Sequence, residues 1–177
     1  DEVFKYKKRG ETEEVDESIY DRAARLCSNA KARQTKEVTK EVTEVERLIS
    51  DKRLDENKAI FANVTGILGE TLTGLVAIKI AEKYNLPTLL LRRQAPRENG
   101  ELFYGGSCRN FDNSPIESLK KELLNTGLFE FVQGHDNAAG FSIARDNVQA
   151  AISCINNNWK DIDFQAIWKV DFDKNAE

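Results

Sequence analysis

Two glycine-flanked loops carry the side chains best suited to chemistry. The first is Gly105-Gly106-Ser107-Cys108-Arg109-Asn110, and the second is Gln133-Gly134-His135-Asp136-Asn137-Ala138-Ala139-Gly140. Glycine lets backbone N–H groups approach a ligand closely. Ser107 adds a hydroxyl, Arg109 a planar fork that matches phosphate oxygens, and His135 an imidazole able to donate to an oxyanion. Together they read as an anion pocket for a phosphodiester backbone. The same residues also have an architectural reading. Gly105-Gly106 can be a bulge or a tight strand exit, Arg109 can pair at the surface with Glu117 or Asp112, and His135 can be an ordinary structural histidine. The residues by themselves leave both readings open.

Two carboxylate pairs stand near the C-terminal end, Asp161 with Asp163 and Asp171 with Asp173. On a strand, positions i and i+2 share a face and could hold a divalent ion. The polar side of an alternating edge strand accounts for them more simply. His135 is the single histidine, and Cys27, Cys108 and Cys154 lie far apart with no C-x-x-C. Zinc sites of the usual kind are thereby excluded, as is any centre that needs two imidazoles. The odd cysteine count suits a reducing cytoplasm. No nucleophile–base pair is visible, so the residues describe a binding domain rather than a complete catalyst.

The elements that must position these stretches follow from periodicity. Residues 1–14 are polar, with Lys5, Lys7, Lys8 and Arg9 ahead of Glu11, Glu13 and Glu14, and read as a solvated, frayed leading segment. From Val15 to Lys52 there is neither glycine nor proline, and apolar residues recur at steps of three, four and seven. This predicts one amphipathic helix on the order of 55 Å long, a coiled-coil arm or a rigid connector. Beyond it the pattern alternates. Strands are expected at 58–64, 87–91, 102–104, 129–132, 138–143 and 163–172, and helices at 70–84 and 146–157. A further helix is expected from Ser114-Pro115 to about Asn125, stopped by Gly127, and Asn99-Gly100 marks a hairpin turn. The fold class is therefore mixed α/β. The organisation is a leading segment over 1–14, a connector helix over 15–56 and one domain over 57–177.

The chain has 177 residues, with 26 basic against 30 acidic side chains and a net charge of −4. No global basic field draws it to nucleic acid, so any such contact must be local. No apolar run approaches the roughly 18 residues of a membrane span, and the first residues do not read as a signal peptide. The lack of any methionine is read as the mark of a fragment of a longer protein.

The order of motifs resembles the DHHA1 domain of the DHH phosphoesterases, in particular the RecJ-like exonucleases. The family's G-S-x-R-S-like motif is matched by Gly106-Ser107-Cys108-Arg109-Asn110. Its G-G-H-x-x-A-A-G followed by F-S-I is matched by Gln133-Gly134-His135-Asp136-Asn137-Ala138-Ala139-Gly140-Phe141-Ser142-Ile143. Thr73-Gly74-Leu75-Val76-Ala77 is similar to the family's G-I-V-A helix, and Pro87 opens its next strand. Asn29 to Arg33 stands where RecJ-like proteins carry an N-x-x-R stretch on the interdomain helix. Two positions depart: Gln133 replaces a glycine, and Asn110 replaces a serine that would add a hydroxyl.

The resemblance implies a long connector helix followed by a DHHA1-like domain whose mixed sheet is flanked by helices. It implies a parent enzyme that hydrolyses single-stranded DNA in the 5′→3′ direction, in DNA repair and recombination, in the cytoplasm. Two metal ions, Mn²⁺ or Mg²⁺, would be held by an N-terminal DHH domain that this chain does not include. By motif match Gly106, Ser107, Arg109, Asn110, Gly134, His135 and Asn137 would contact phosphate. His135 would take an accessory catalytic role, stabilising phosphate charge without binding metal. The chain alone would bind no metal and be inactive. Its partners would be single-stranded DNA and the missing DHH domain, with no membrane. A nanoRNase or cyclic-dinucleotide phosphodiesterase of the same superfamily, or a non-catalytic nucleic-acid-binding adaptor, are the alternatives.

Overall fold

The computed structural model of the chain describes residues 3–7, 10 and 12–164 and divides into two compact units, Asp1–Lys40 and Glu41–Glu177. In the first unit, β1 (Val3–Lys7) pairs antiparallel with β2 (Glu14–Ser18), and α1 (Ile19–Lys52) follows at once. The frayed segment expected over 1–14 is thus a hairpin in its described part. The helix expected from Val15 begins four residues later, because Val15 to Ser18 belong to β2. A two-stranded ribbon is marginal alone, and α1 supplies what holds it. Arg22 lies over the Phe4 ring at 4.1 Å and Arg25 over the Tyr6 ring at 3.8 Å. Arg25 also grips Glu17 with two bonds of 2.6 and 2.7 Å, which holds that carboxyl below its usual range. Ser18 Oγ accepts from the Asp21 N–H at 3.2 Å, capping α1.

The second unit contains the last turns of α1, with Val45 and Ile49 buried one turn apart. Glu41 accepts from the Gly69 N–H at 3.3 Å, and Glu46 pairs with Lys83 at 2.7 Å. Arg53 in the left-handed region stops the helix. Five strands form a mixed sheet in the order β3-β4-β5-β7-β6. They are β3 (Ile60–Asn63), β4 (Thr88–Arg93), β5 (Phe103–Arg109), β6 (Phe129–His135) and β7 (Ala138–Ala144). Only β3 and β4 run parallel, joined through α2 (Thr73–Tyr84). Asn85 ends α2 in the left-handed region, and Gly100 makes the expected turn between β4 and β5.

One face of the sheet carries Phe61, Leu89, Leu91, Cys108, Phe141 and Ile143, which pack with α3 (Leu119–Asn125) and α4 (Val148–Asn158). Each buried leucine there contributes about 1.5–3 kcal/mol. α2 packs on β4 and β5, with Val76, Ala77 and Ile80 buried. The helix expected from Ser114 starts instead at Leu119, because Ser118 is the residue whose hydroxyl accepts from Lys121 N–H, at 3.2 Å. Ser114 accepts from Ile116 N–H in the preceding turn. Gly127 sits in the left-handed region after α3, as its position predicts. The strand expected over 163–172 lies outside the described residues, apart from Asp163 and Phe164, which are not in a strand. Asp161 is in a turn, so the shared strand face that would make Asp161 and Asp163 a pair is not there. Asp171 and Asp173 lie outside the described residues.

Cys108 is fully buried and donates to the Ala139 carbonyl at 3.4 Å. Burial pushes its thiol up to about 11 from an ordinary 9.0. The folded chain therefore holds this proton more tightly than the unfolded chain does. That contribution to stability is complete below the ordinary value and is lost as pH rises toward the folded one. At neutral pH a thiol reagent is expected to modify exposed Cys27 and to reach Cys108 only on unfolding. Peptide mass mapping of alkylated native chain reads this directly, and equal rates at the two sites would contradict the burial.

Candidate nucleic-acid interface

Gly105 to Arg109 is not a loop: all five residues lie inside β5, the central strand of the sheet. The second stretch is a hairpin, with β6 and β7 joined through Asp136-Asn137. These two placements bring the motifs side by side. Pairing across β5, β7 and β6 sets Arg109, Ala138 and His135 in one row. Ser107, Gly140 and Gln133 form the next row, and Gly105, Ser142 and Phe131 the one after. Side chains alternate in a strand, so all of these lie on the face opposite Cys108, Phe141 and Ile143. Of these three strands, β7 in the middle offers Ala138, Gly140, Ser142 and Ala144 to this face, which leaves its floor low.

Arg109 is held at one corner of this floor. One of its terminal nitrogens donates to the carbonyls of Cys108 at 2.7 Å and Ala139 at 3.3 Å. The other lies against Gly74 at the start of α2, where an added methyl group would be 2.6 Å from it. The alternative pairing of Arg109 with Glu117 or Asp112 is not formed; neither carboxylate makes an ion pair with it among the described residues. Ser107 Oγ lies 3.2 Å from Thr73 Oγ1. A cleft of about 510 Å³ opens here, lined by Gly74, Arg109 and His135 among others. His135 is exposed at its mouth. A second cleft of about 580 Å³ is lined by Thr73, Arg93, Gln94 and Ser107 among others.

Asn110 and Asn137 sit at the end of the first cleft with their amides engaged. Asn110 is buried and donates to the Ile116 carbonyl at 2.9 Å and to Asn137 Oδ1 at 3.1 Å. Asn137 accepts in addition from Leu119 N–H at 3.2 Å and donates to the Glu117 carbonyl at 3.0 Å. Asp136 accepts from Ser118 Oγ at 2.8 Å, and Lys120 Nζ donates to the Gly134 carbonyl at 3.1 Å. The hairpin tip is thereby tied to the start of α3, which holds His135 across from Arg109.

Gly106 and Gly134 stand on the other side of the sheet from Arg109 and His135. An added Cβ at Gly106 would meet the Leu90 carbonyl at 1.8 Å, and one at Gly134, where φ is +135°, would meet the Ala138 carbonyl at 2.7 Å. Their missing side chains serve close strand approach and the tight turn. Gly140, by contrast, has only ordinary neighbours, the nearest at 3.6 Å. Three contributors were not assigned to the site from sequence: Gly74 as the seat of Arg109 and Thr73 as the partner of Ser107, both read only as parts of a helix motif, and Phe131 on the open face. The alternation along 131, 133 and 135 was the available signal, once β6 is extended to His135. Among the described residues no three His, Cys, Asp or Glu side chains converge as metal ligands. No helix among them is long and apolar enough to cross a membrane.

No family model matches the chain. Two curated relatives do. One is named as a single-strand DNA-specific exonuclease, YorK, derived from the SPbeta prophage of Bacillus subtilis (strain 168), and the other carries the corresponding name in Bacillus phage SPbeta. Each is 42% identical over 173 residues, which is 97% of this chain. The chain spans 30% of the length of these relatives. Among solved structures, RecJ of Thermus thermophilus in complex with Mg²⁺ aligns over 76% of this chain and 19% of its own, with a TM-score of 0.53 and 24% identity. The same protein in complex with Mn²⁺ aligns over 75% and 18%, with a TM-score of 0.52 and 25% identity. The mixed sheet, the four helices and the long first helix are thus features of a RecJ-like fold. Over 97% of its length this chain is thus similar to the phage-type single-strand DNA-specific exonucleases, and its fold is that of RecJ.

Proposed function

We propose that this chain is the substrate-gripping DHHA1 part of a RecJ-like 5′→3′ single-stranded-DNA exonuclease, acting with a DHH domain of the same protein that supplies the metal centre. The observation that carries the reading is Arg109. Its guanidinium is braced by two carbonyls and by Gly74, and it faces a cleft shared with exposed His135. A planar fork held in this way matches two phosphate oxygens. Ser107 adds a hydroxyl one row away, and His135 donates to the same phosphate as charge builds on it. Asn110, Asn137, Gly106 and Gly134 act by shaping the cleft and its hairpin. Mg²⁺ or Mn²⁺, each bound by the solved RecJ relative, would activate water for attack on phosphorus. In this reading the role of this chain is to hold the substrate. The long helix α1 serves as connector, and the whole protein works in the cytoplasm.

The test is a binding titration of the chain with labelled single-stranded DNA, duplex DNA and a cyclic dinucleotide. Single strands are expected to bind more tightly than duplex, with log K falling linearly as log salt rises, and Mn²⁺ is expected to elicit no cleavage by the chain. Preference for the dinucleotide would move the reading to the dinucleotide phosphodiesterases of the superfamily. No binding to any nucleic acid would end it, and metal-dependent cleavage by the pure chain would refute the division of labour.

A further inference from the structure

The function just proposed engages one corner of the open sheet face and leaves Phe131 at the opposite corner unexplained. Among the described residues of the second unit, the exposed large hydrophobic side chains are Ile67, Leu75, Leu124 and Phe131, and Phe131 alone is aromatic. It is 38% exposed and sits on β6, one of the two edge strands. An apolar ring on an edge is a liability that edges ordinarily avoid by carrying charge. Its setting is specific. It pairs with Ser142 on β7, so the floor beside it is low, and the next row holds Gln133 and Gly140. Beyond it the face is closed by Glu130, which accepts from Ser142 Oγ at 2.8 Å and pairs with Arg97. Arg97 in turn lies over the Phe103 ring at 3.8 Å. Arg97 and Ser142 hold the Glu130 carboxyl below its usual range, so it stays ionised, and its charge is offset by the paired Arg97. The face therefore runs from a cationic corner at Arg109, over small residues, to an aromatic corner at Phe131 where the neighbouring charges are paired.

The geometry points to Phe131 as a stacking platform for an unpaired base of the same strand whose phosphate lies at Arg109. This rests on the proposed nucleic-acid reading and deepens it, because it says why single strands would be preferred. A ring lying on a sheet can stack only on a base whose face is free, and duplex bases are already stacked. The two corners are two strands apart across the sheet and four residues apart along β6, roughly 16 Å on the diagonal. That is too far for one nucleotide. Gly140 keeps the path between them clear, since a side chain there would rise into it. Gln133 offers its amide to base edges on the way.

Titration of the chain with an oligothymidylate of about 12 nucleotides, with the same strand carrying abasic sites, and with a mononucleotide tests this by fluorescence anisotropy. Phe131→Ala is expected to weaken oligothymidylate binding roughly tenfold. The slope of log K against log salt should stay unchanged, because every phosphate partner remains in place. Phe131→Tyr should retain binding. The abasic strand should bind the native chain more weakly by a similar factor and lose nothing more with Phe131→Ala. Mononucleotide binding should not respond to Phe131. If Phe131→Ala binds the oligonucleotide as the native chain does while Arg109→Ala does not, the stacking role is overturned and the phosphate reading stands. If neither substitution matters, the phosphate reading itself fails. Should Phe131→Ala melt early, equal affinity of the native chain for base-bearing and abasic strands still overturns the inference.

Discussion

Arg109→Ala is expected to lower affinity for single-stranded DNA by roughly 10- to 100-fold, the range for losing hydrogen bonds to a charged group. It is also expected to flatten the salt dependence by about 0.7 for each phosphate that Arg109 neutralises. Both effects follow from how the side chain is held. The Cys108 and Ala139 carbonyls take one terminal nitrogen, and Gly74 leaves room for the other. The fork is thus oriented before any ligand arrives, and little side-chain entropy is lost on binding. Arg109→Lys should recover only part of the affinity, because an ammonium cannot reproduce the fork. Gly74→Ala should act on the same residue from the other side. The methyl group would meet the tip of a flexible side chain rather than backbone, so the guanidinium shifts while the fold holds. Anisotropy titrations at several salt concentrations read both quantities. An Arg109→Ala variant with native affinity and native slope would remove the residue from the interface.

Gly106→Ala is expected to damage the fold itself, by about 3 kcal/mol or more. The added Cβ would stand 1.8 Å from the Leu90 carbonyl and 3.4 Å from the Phe141 ring. Leu90 lies in β4, paired with β5, so its carbonyl cannot retreat without disturbing the ladder. A native state worth about 5–15 kcal/mol in all loses a large share of its margin. Gly140→Ala is the matching control. It sits in the adjacent strand, opposite Ser107, and its new Cβ would find its nearest neighbour at an ordinary 3.6 Å. Urea midpoints at unchanged m-value compare the two. Equal tolerance at both positions would mean that the sheet does not pass as closely at Gly106 as the structure shows.

The two glycines mark where reading the sequence succeeded and where it could not. Gly105-Gly106 and Gly134 stood out as places that need glycine, and at Gly106, for room, and Gly134, for its positive φ, that need is real. What the freedom is for depends on which side of the sheet each residue lies, and that parity follows from strand boundaries. Glycine scores poorly as a strand former, so Gly105 to Arg109 read as a loop, although the chain crosses the middle of the sheet there. The ladder is stabilised by its neighbours on both sides, Leu89 and Leu91 on one and Ala139 and Phe141 on the other, and tertiary pairing overrides the local preference. The same cause explains the leading hairpin. Charge clusters at Lys5, Lys7, Glu13 and Glu14 read as solvated, but the rings of Phe4 and Tyr6 lie under arginines of α1. Contacts between segments so far apart in sequence leave no local pattern.

What the sequence determined by itself is the element inventory from the long helix to α4, and the chemistry on offer. The long run without glycine or proline is helical from Ile19 onward, and the apolar runs expected as strands between 58 and 143 are strands. A chain with one histidine and scattered cysteines cannot build its own two-imidazole centre. The ordered motifs named the family, because their residue types and their order survive in sequence. Only the tertiary structure decided what those motifs are for one another. Arg109 and His135 lie 26 positions apart in the chain, and it is the β5-β7-β6 pairing that puts them in one row. Phe131 becomes part of the same face only because β6 reaches His135. Strand register is a property of partners, since a shift of one residue would send Arg109 into the core and Cys108 to the ligand.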